Sequence, residues 1–417
     1  MKILLYATFL LMTMSAVSYA DIAEDDVSIV VDPNSSKVFA WFWQKNEAKE
    51  EATSEAPKAK ASSEAKKKPP EDLTAPVARS IENPQIALLL PITGQYEIAA
   101  YAVMEGFISA YYVDAGNNAN TDIRIYDTVE DKEVVKAYRR AVEEGANIVV
   151  GPLTKPGNET LIDSKVIDNK MIVISLNTLE GRNSLPRYLY PFSLGPEDEA
   201  FRLAEQAWHN GHKVGGALVE KTAFGRRAAA SFKKRFEQLG GQIEKTVYFD
   251  KNQALEDPVQ YLLNTEYENV NAPHYDFLFL MASPGQGRQV PPLLQFYNQH
   301  LPIYAMANIY TGTPNPGRDN DLNGVVFCDS PWVVHAHDRH ATLNAMAVQL
   351  LTDPAAQERL FAFGIDAYKV AKNIRPLSAN TSFSLPGVTG KLSMDASGFI
   401  VREPECVRFS TGVPRGL

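Results

Sequence analysis

Cysteine is scarce in this 417-residue chain: there are two, Cys328 and Cys406, and no CxxC pair, so no thiolate metal centre can be read from it. Positive charge is short too. Lys+Arg number 41 against 50 Asp+Glu, a net charge of -9, which offers no field to gather phosphates and argues against a nucleic-acid partner. No Walker loop, dinucleotide fingerprint or defensible Ser-His-Asp spacing occurs. The segment PGQGRQ at 284–289 puts two glycines at a strand-to-helix turn without the GK[ST] of a phosphate cradle. Histidine is scattered except in HAHDRH, where His335, His337 and His340 with Asp338 offer nitrogen and oxygen ligands for zinc or copper. That spacing matches no recognised catalytic site, and a solvated loop is the plainer reading. The expectation is a non-enzyme without catalytic residues, cofactor or resident metal.

Long apolar runs are also missing. The stretch Ile3 to Val17 falls short of the ~20 residues that span a bilayer, and it follows Lys2 and precedes Ser18 and Ala20. Residues 1–20 therefore read as a secretory signal cleaved after Ala20, with a retained membrane anchor as the alternative. No transmembrane segment is expected in the mature chain, and no cysteine near the cleavage site could accept a lipid. Once exported to the periplasm, Cys328 and Cys406 meet an oxidising compartment, which favours a disulfide over two buried free thiols.

What is present divides in four. Residues 21–46 form an N-terminal segment whose aromatic cluster, including Trp41, Phe42 and Trp43, either docks on a partner or touches a membrane, or else folds back onto the main domain. Residues 47–80 read as a disordered linker, because EAKEEATSEAPKAKASSEAKKKPPED has no apolar side chain larger than alanine to offset chain entropy. From residue 81 to 417, short Ile/Leu/Val runs at 86–90, 122–128, 147–154 and 171–177 alternate with helical patterns. In the first helix Ala99, Val103, Phe107 and Ala110 mark one buried face. The pattern restarts near Pro196, followed by a helix with an apolar stripe of Phe224, Ala228, Phe232 and Phe236. This is an α/β chain of two lobes, each a doubly wound, mainly parallel sheet. Lobe 1 is expected at about 84–194 plus 302–350, with the strands after Pro302 returning to it. Lobe 2 is expected at about 195–301 plus the C-terminal part.

In open α/β sheets, ligands bind beyond the carboxyl ends of the strands. Those ends carry Thr93 and Gly94, Gly151 and Thr154, and Asn177 and Thr178, with Tyr310 and Asp329 as an aromatic wall and a cation partner. One reading makes Thr93 and Thr154 hydroxyl donors to a small anionic solute. The other makes them helix caps.

The closing stretch GVTGKLSMDASGFI resembles the late hairpin of the type I periplasmic binding protein fold. IALLLPITGQYEIAAYAVMEGFISAYY, VVGPLTK, YPFSLGPEDEA, LMASPGQGRQVPPLLQFY and PIYAMANIYTGTPNPGRDNDLNGVVFCDSPW are similar to the C-terminal domain of the LpoA lipoproteins. That resemblance implies a regulator of peptidoglycan synthesis that binds and activates a bifunctional penicillin-binding protein, with peptidoglycan itself as a second candidate partner. Two departures are expected: no counterpart of the family's N-terminal helical-repeat domain, and no anchor cysteine. The alternative function is a periplasmic receptor delivering an amino acid or short peptide to a transporter.

Overall fold

The computed structural model describes residues 28–31, 84–115, 121–129, 131–179, 185–264, 274–335 and 340–417. The signal segment, the linker, Trp41, Phe42, Trp43 and His337 lie outside them.

Six strands make the first sheet: β1 (Ser28–Val31), β2 (Gln85–Leu90), β3 (Asp122–Asp127), β4 (Ile148–Val150), β5 (Ile172–Ser175) and β6 (Leu189–Pro191), in the order β1-β3-β2-β4-β5-β6. All pairs are parallel except β1 with β3, where Ser28 faces Tyr126 and Val31 faces Ile123 in antiparallel register. Part of the N-terminal segment thus completes the sheet edge. Ile86 to Leu90 are buried without alternation, because helices cover both faces of a parallel sheet.

Three helices follow strands of this sheet: α1 (Glu97–Ala115), α2 (Val134–Glu143) and α3 (Lys155–Asp163). The second lobe begins with α4 (Pro196–His209), where Gly195 caps and Pro196 takes the first helical position. It continues through β7 (Val214–Glu220), α5 (Ala223–Gln238), β8 (Gln242–Phe249), α6 (Glu256–Leu263), β9 (Phe277–Met281), β10 (Ile303–Ala305) and β11 (Val326–Asp329). The chain then crosses back to the first lobe through α7 (Ala341–Leu350) and α8 (Pro354–Ala379). A small sheet, β12 (Ser384–Pro386), β13 (Lys391–Met394) and β14 (Ile400–Glu403), leads to β15 (Glu405–Ser410) and β16 (Val413–Gly416). The second sheet has the order β16-β15-β11-β10-β9-β7-β8.

Three expectations need correction. β10 and β11 do not return to the first lobe; they pair in parallel with each other, and β10 pairs with β9 in the second sheet. Apolar three- and four-residue strands carry no label for the sheet they join, so only the pairing assigns them. In α1 the buried surface is not one face: every residue from Ala102 to Tyr111 is buried, because α8 lies on the side that periodicity left to solvent. Phe224 leaves the apolar stripe of α5, being 38% exposed, while Ala228, Phe232 and Phe236 are buried. It stands at the first turn, where the helix reaches the space between the lobes.

Three crossings join the lobes, at Phe192–Pro196, at Ser330–Pro331 and at Glu403–Glu405. Arg402, 6% exposed at its side chain, ties the first to the third. Its Nε donates to the Ser193 carbonyl at 3.0 Å and its backbone N to Asp198 at 3.0 Å. The Gly-x-x-Gly turn at 387–390 is held by Asp366 on α8, a fully buried carboxylate that accepts from the Val388 and Thr389 amides at 2.9 and 2.7 Å. One hydrophobic cluster runs from Ile86 and Leu88 through Phe361 and Tyr368 to Leu218, Phe249 and Leu278, so the lobes share a core. Cys328 and Cys406 are bonded, directly opposite one another on β11 and β15.

Candidate functional site

Beyond the carboxyl ends of β2, β4 and β5, between them and the start of α5, lies a cavity of about 450 Å³. Tyr96, Thr154, Asn177 and Thr178 line it together with Phe224, Leu194, Leu360 and Phe363. At its edge Arg227 makes a two-pronged ion pair with Glu197, at 2.7 and 3.0 Å.

On the first-lobe side, the residues singled out from sequence make local bonds. Thr93 is exposed and donates to Asp127 at 2.7 Å. Gly94 has φ 86, the left-handed conformation that a turn into α1 requires and that glycine adopts without strain. Gly151, at φ 115, packs so close to β2 that a Cβ would overlap the Leu89 carbonyl. Thr154 caps α3, accepting from the Gly157 amide at 3.1 Å, and donates its own proton to Asp131. Asn177 donates to the Leu153 carbonyl at 2.8 Å and accepts from the Thr178 amide at 2.9 Å. Asp131, buried enough to raise its carboxyl above the ordinary range, stands over Gly157 at the start of α3. A helix N-terminus attracts an anion, and the chain supplies one of its own there.

The second-lobe side is filled in the same way. Asp329, 4% exposed, receives Arg359 from α8: Nε donates to both carboxylate oxygens at 3.2 and 3.1 Å. The same guanidinium donates to the Tyr310 carbonyl at 3.2 Å and reaches the Ala307 carbonyl at 3.5 Å. The Tyr310 ring turns away and packs on Phe327 and Phe409. Glu199 accepts from the Ala307 amide, and burial together with the Asp329 charge pushes its carboxyl up to about 8. Sequence reasoning missed Arg359, Asp131 and Glu199 as members of this site. Arg359 sits in an ordinary-looking helical run, and Glu199 in an acidic triplet that reads as helix-dipole partners; nothing local tells which groups they face.

The remaining candidates lie elsewhere. His335 pairs with Glu405 at 2.6 Å, and the His340 ring stacks 6.3 Å from Trp332. Among the described residues no group of three or more His, Cys, Asp or Glu could hold a metal ion, and no helix is long and apolar enough to cross a membrane. A larger groove of about 930 Å³ runs past His335, Lys391, Glu403 and the chain end at Leu417.

The family described as "LppC putative lipoprotein" matches residues 42–412, most of the chain. The chain belongs to this family, and the curated relatives it matches include proteins named LpoA. The penicillin-binding protein activator LpoA of Photobacterium profundum is 25% identical over 346 residues, which cover 78% of this chain and 56% of the relative. The chain thus spans about half the length of the curated relatives it matches. The LpoA C-domain from Haemophilus influenzae, described as a regulator of PBP1A, superposes with a TM-score of 0.68 at 26% identity, covering 79% of this chain and 99% of that one. An ABC transporter substrate-binding protein from Sphaerobacter thermophilus superposes with a TM-score of 0.56 at 17% identity over 81% of this chain and 97% of that one, a likeness of fold alone. This LppC member therefore has the type I periplasmic binding protein fold. The lipoprotein description of the family stands beside the expectation that no anchor is carried, which rests on residues outside those described.

Proposed function

We propose that this LppC member is a non-enzymatic regulator of peptidoglycan synthesis, exported to the periplasm, that binds and activates a bifunctional penicillin-binding protein. The observation that carries this reading is the match of the complete two-lobed unit to an LpoA C-domain described as a regulator of PBP1A. The cleft supports it. A receptor for an amino acid keeps polar groups free for its ligand, whereas here Thr154 is bonded to Asp131 and Asp329 to Arg359. Activation follows if the protein contacts the working conformation of the synthase more favourably than its resting one.

The test is binding of the full mature chain to a purified bifunctional penicillin-binding protein, with glycan polymerisation and cross-linking measured beside it. A saturable complex that raises either rate is the expected result. No complex, together with a rise in melting temperature on adding an amino acid or short peptide, would overturn the reading in favour of a solute receptor.

A further inference from the structure

The Arg359 contact is more than a surface ion pair. Arg359 belongs to α8, which packs along α1 of the first lobe, while each acceptor around its guanidinium belongs to the second: the Asp329 carboxylate and the carbonyls of Ala307 and Tyr310. Both carbonyls lie at the ends of the single turn that follows β10, so one Nη2 reads two backbone dipoles and a carboxylate oxygen together. This arrangement of acceptors around one positive group is what a protein builds to recognise a bound cation.

We propose that the Asp329 corner is a cation-binding site whose resident occupant is the Arg359 side chain, and that with this side chain withdrawn the corner takes a small guanidinium or alkylammonium cation. Three carboxyl groups face it, Asp329 from β11, Glu199 from α4 and Glu358 from α8, and Arg402 from β14 adds a second positive charge near Glu199. Arg359 is 28% exposed at its side chain, so solvent reaches the corner. In this arrangement a covalently attached cation sets the angle between the lobes, where a solute receptor would use a diffusible one. The proposal does not depend on which partner the protein regulates.

Chemical rescue tests it. The full chain carrying Arg359→Ala is melted with methylguanidinium on the order of 10 mM and with the same concentration of sodium chloride, beside the unaltered protein. The expected result is a lowered melting temperature in the variant, regained by about 2 °C or more with methylguanidinium, and no gain in the unaltered protein. Adding Asp329→Asn to Arg359→Ala should abolish the regain. An equal response in all proteins, no response in the variant, or a gain that survives Asp329→Asn would overturn the proposal. Should Arg359→Ala not accumulate as folded protein, refolding yield with and without methylguanidinium is read against the same outcomes. Small-angle scattering supplies an independent readout: the variant should widen and should contract again with the cation.

Discussion

Several polar side chains are placed inside the molecule. Glu105 is one that no motif reveals: it lies within the fully buried length of α1, and desolvation raises its carboxyl from 4.5 to about 8. The folded state therefore holds a proton that the unfolded chain releases. Its contribution to stability is complete below about pH 4.5 and is lost as the pH rises through about 8. Glu105→Gln, neutral at every pH, should leave stability unchanged at pH 4 and raise it at pH 9 by on the order of 2 kcal/mol, measured by denaturant unfolding. Glu199 has a shift of the same sign and remains in the variant, so the slope should diminish without vanishing. Thr154 was legible in part: a threonine at a strand-to-helix corner announces a cap, but its second bond, to Asp131, joins residues 23 apart and leaves no local trace.

Elements were easier to see than their neighbours. The apolar runs that became β2, β4 and β5 stand where residue type placed them, because a strand covered on both faces needs branched apolar side chains whatever it pairs with. The contact of α1 with α8 is different. Gly106 and Gly364 let the two backbones touch, and a Cβ on either would overlap a carbonyl of the other helix, Phe361 for the first and Val103 for the second. Gly364→Ala should force the helices apart and cost about 3 kcal/mol in urea unfolding, although alanine is the better helix former by about 1 kcal/mol. Unaltered or increased stability would show that the helices are not in backbone contact. Sequence periodicity offered α1 a single buried face, since a helix roughly 250 residues later in the chain supplies the cover for the other.

The whole molecule is two lobes that share one hydrophobic cluster and three crossings, with Arg402 bonded to the first crossing from the third. Because its guanidinium, 6% exposed at its side chain, satisfies two backbone carbonyls, its removal takes away their donor. Arg402→Ala should lower the melting temperature by several degrees, about 2 kcal/mol of stability, and quicken amide exchange at residues 193–196. Exchange unchanged there, with full stability retained, would remove Arg402 from the hinge.

The sequence by itself determined the α/β class, the two-lobed plan, the helix entry at Pro196 and the family, because each rests on local residue choice or on motifs contiguous in the chain. Tertiary structure alone decided which sheet β10 and β11 join and which side chain meets Asp329. Asp329 and Arg359 stand 30 residues apart, and only the crossing of the chain between lobes brings charge against charge. Whether a polar corner receives a solute or the protein's own side chain depends on what folding puts opposite it, and that information is not carried by the corner's own residues.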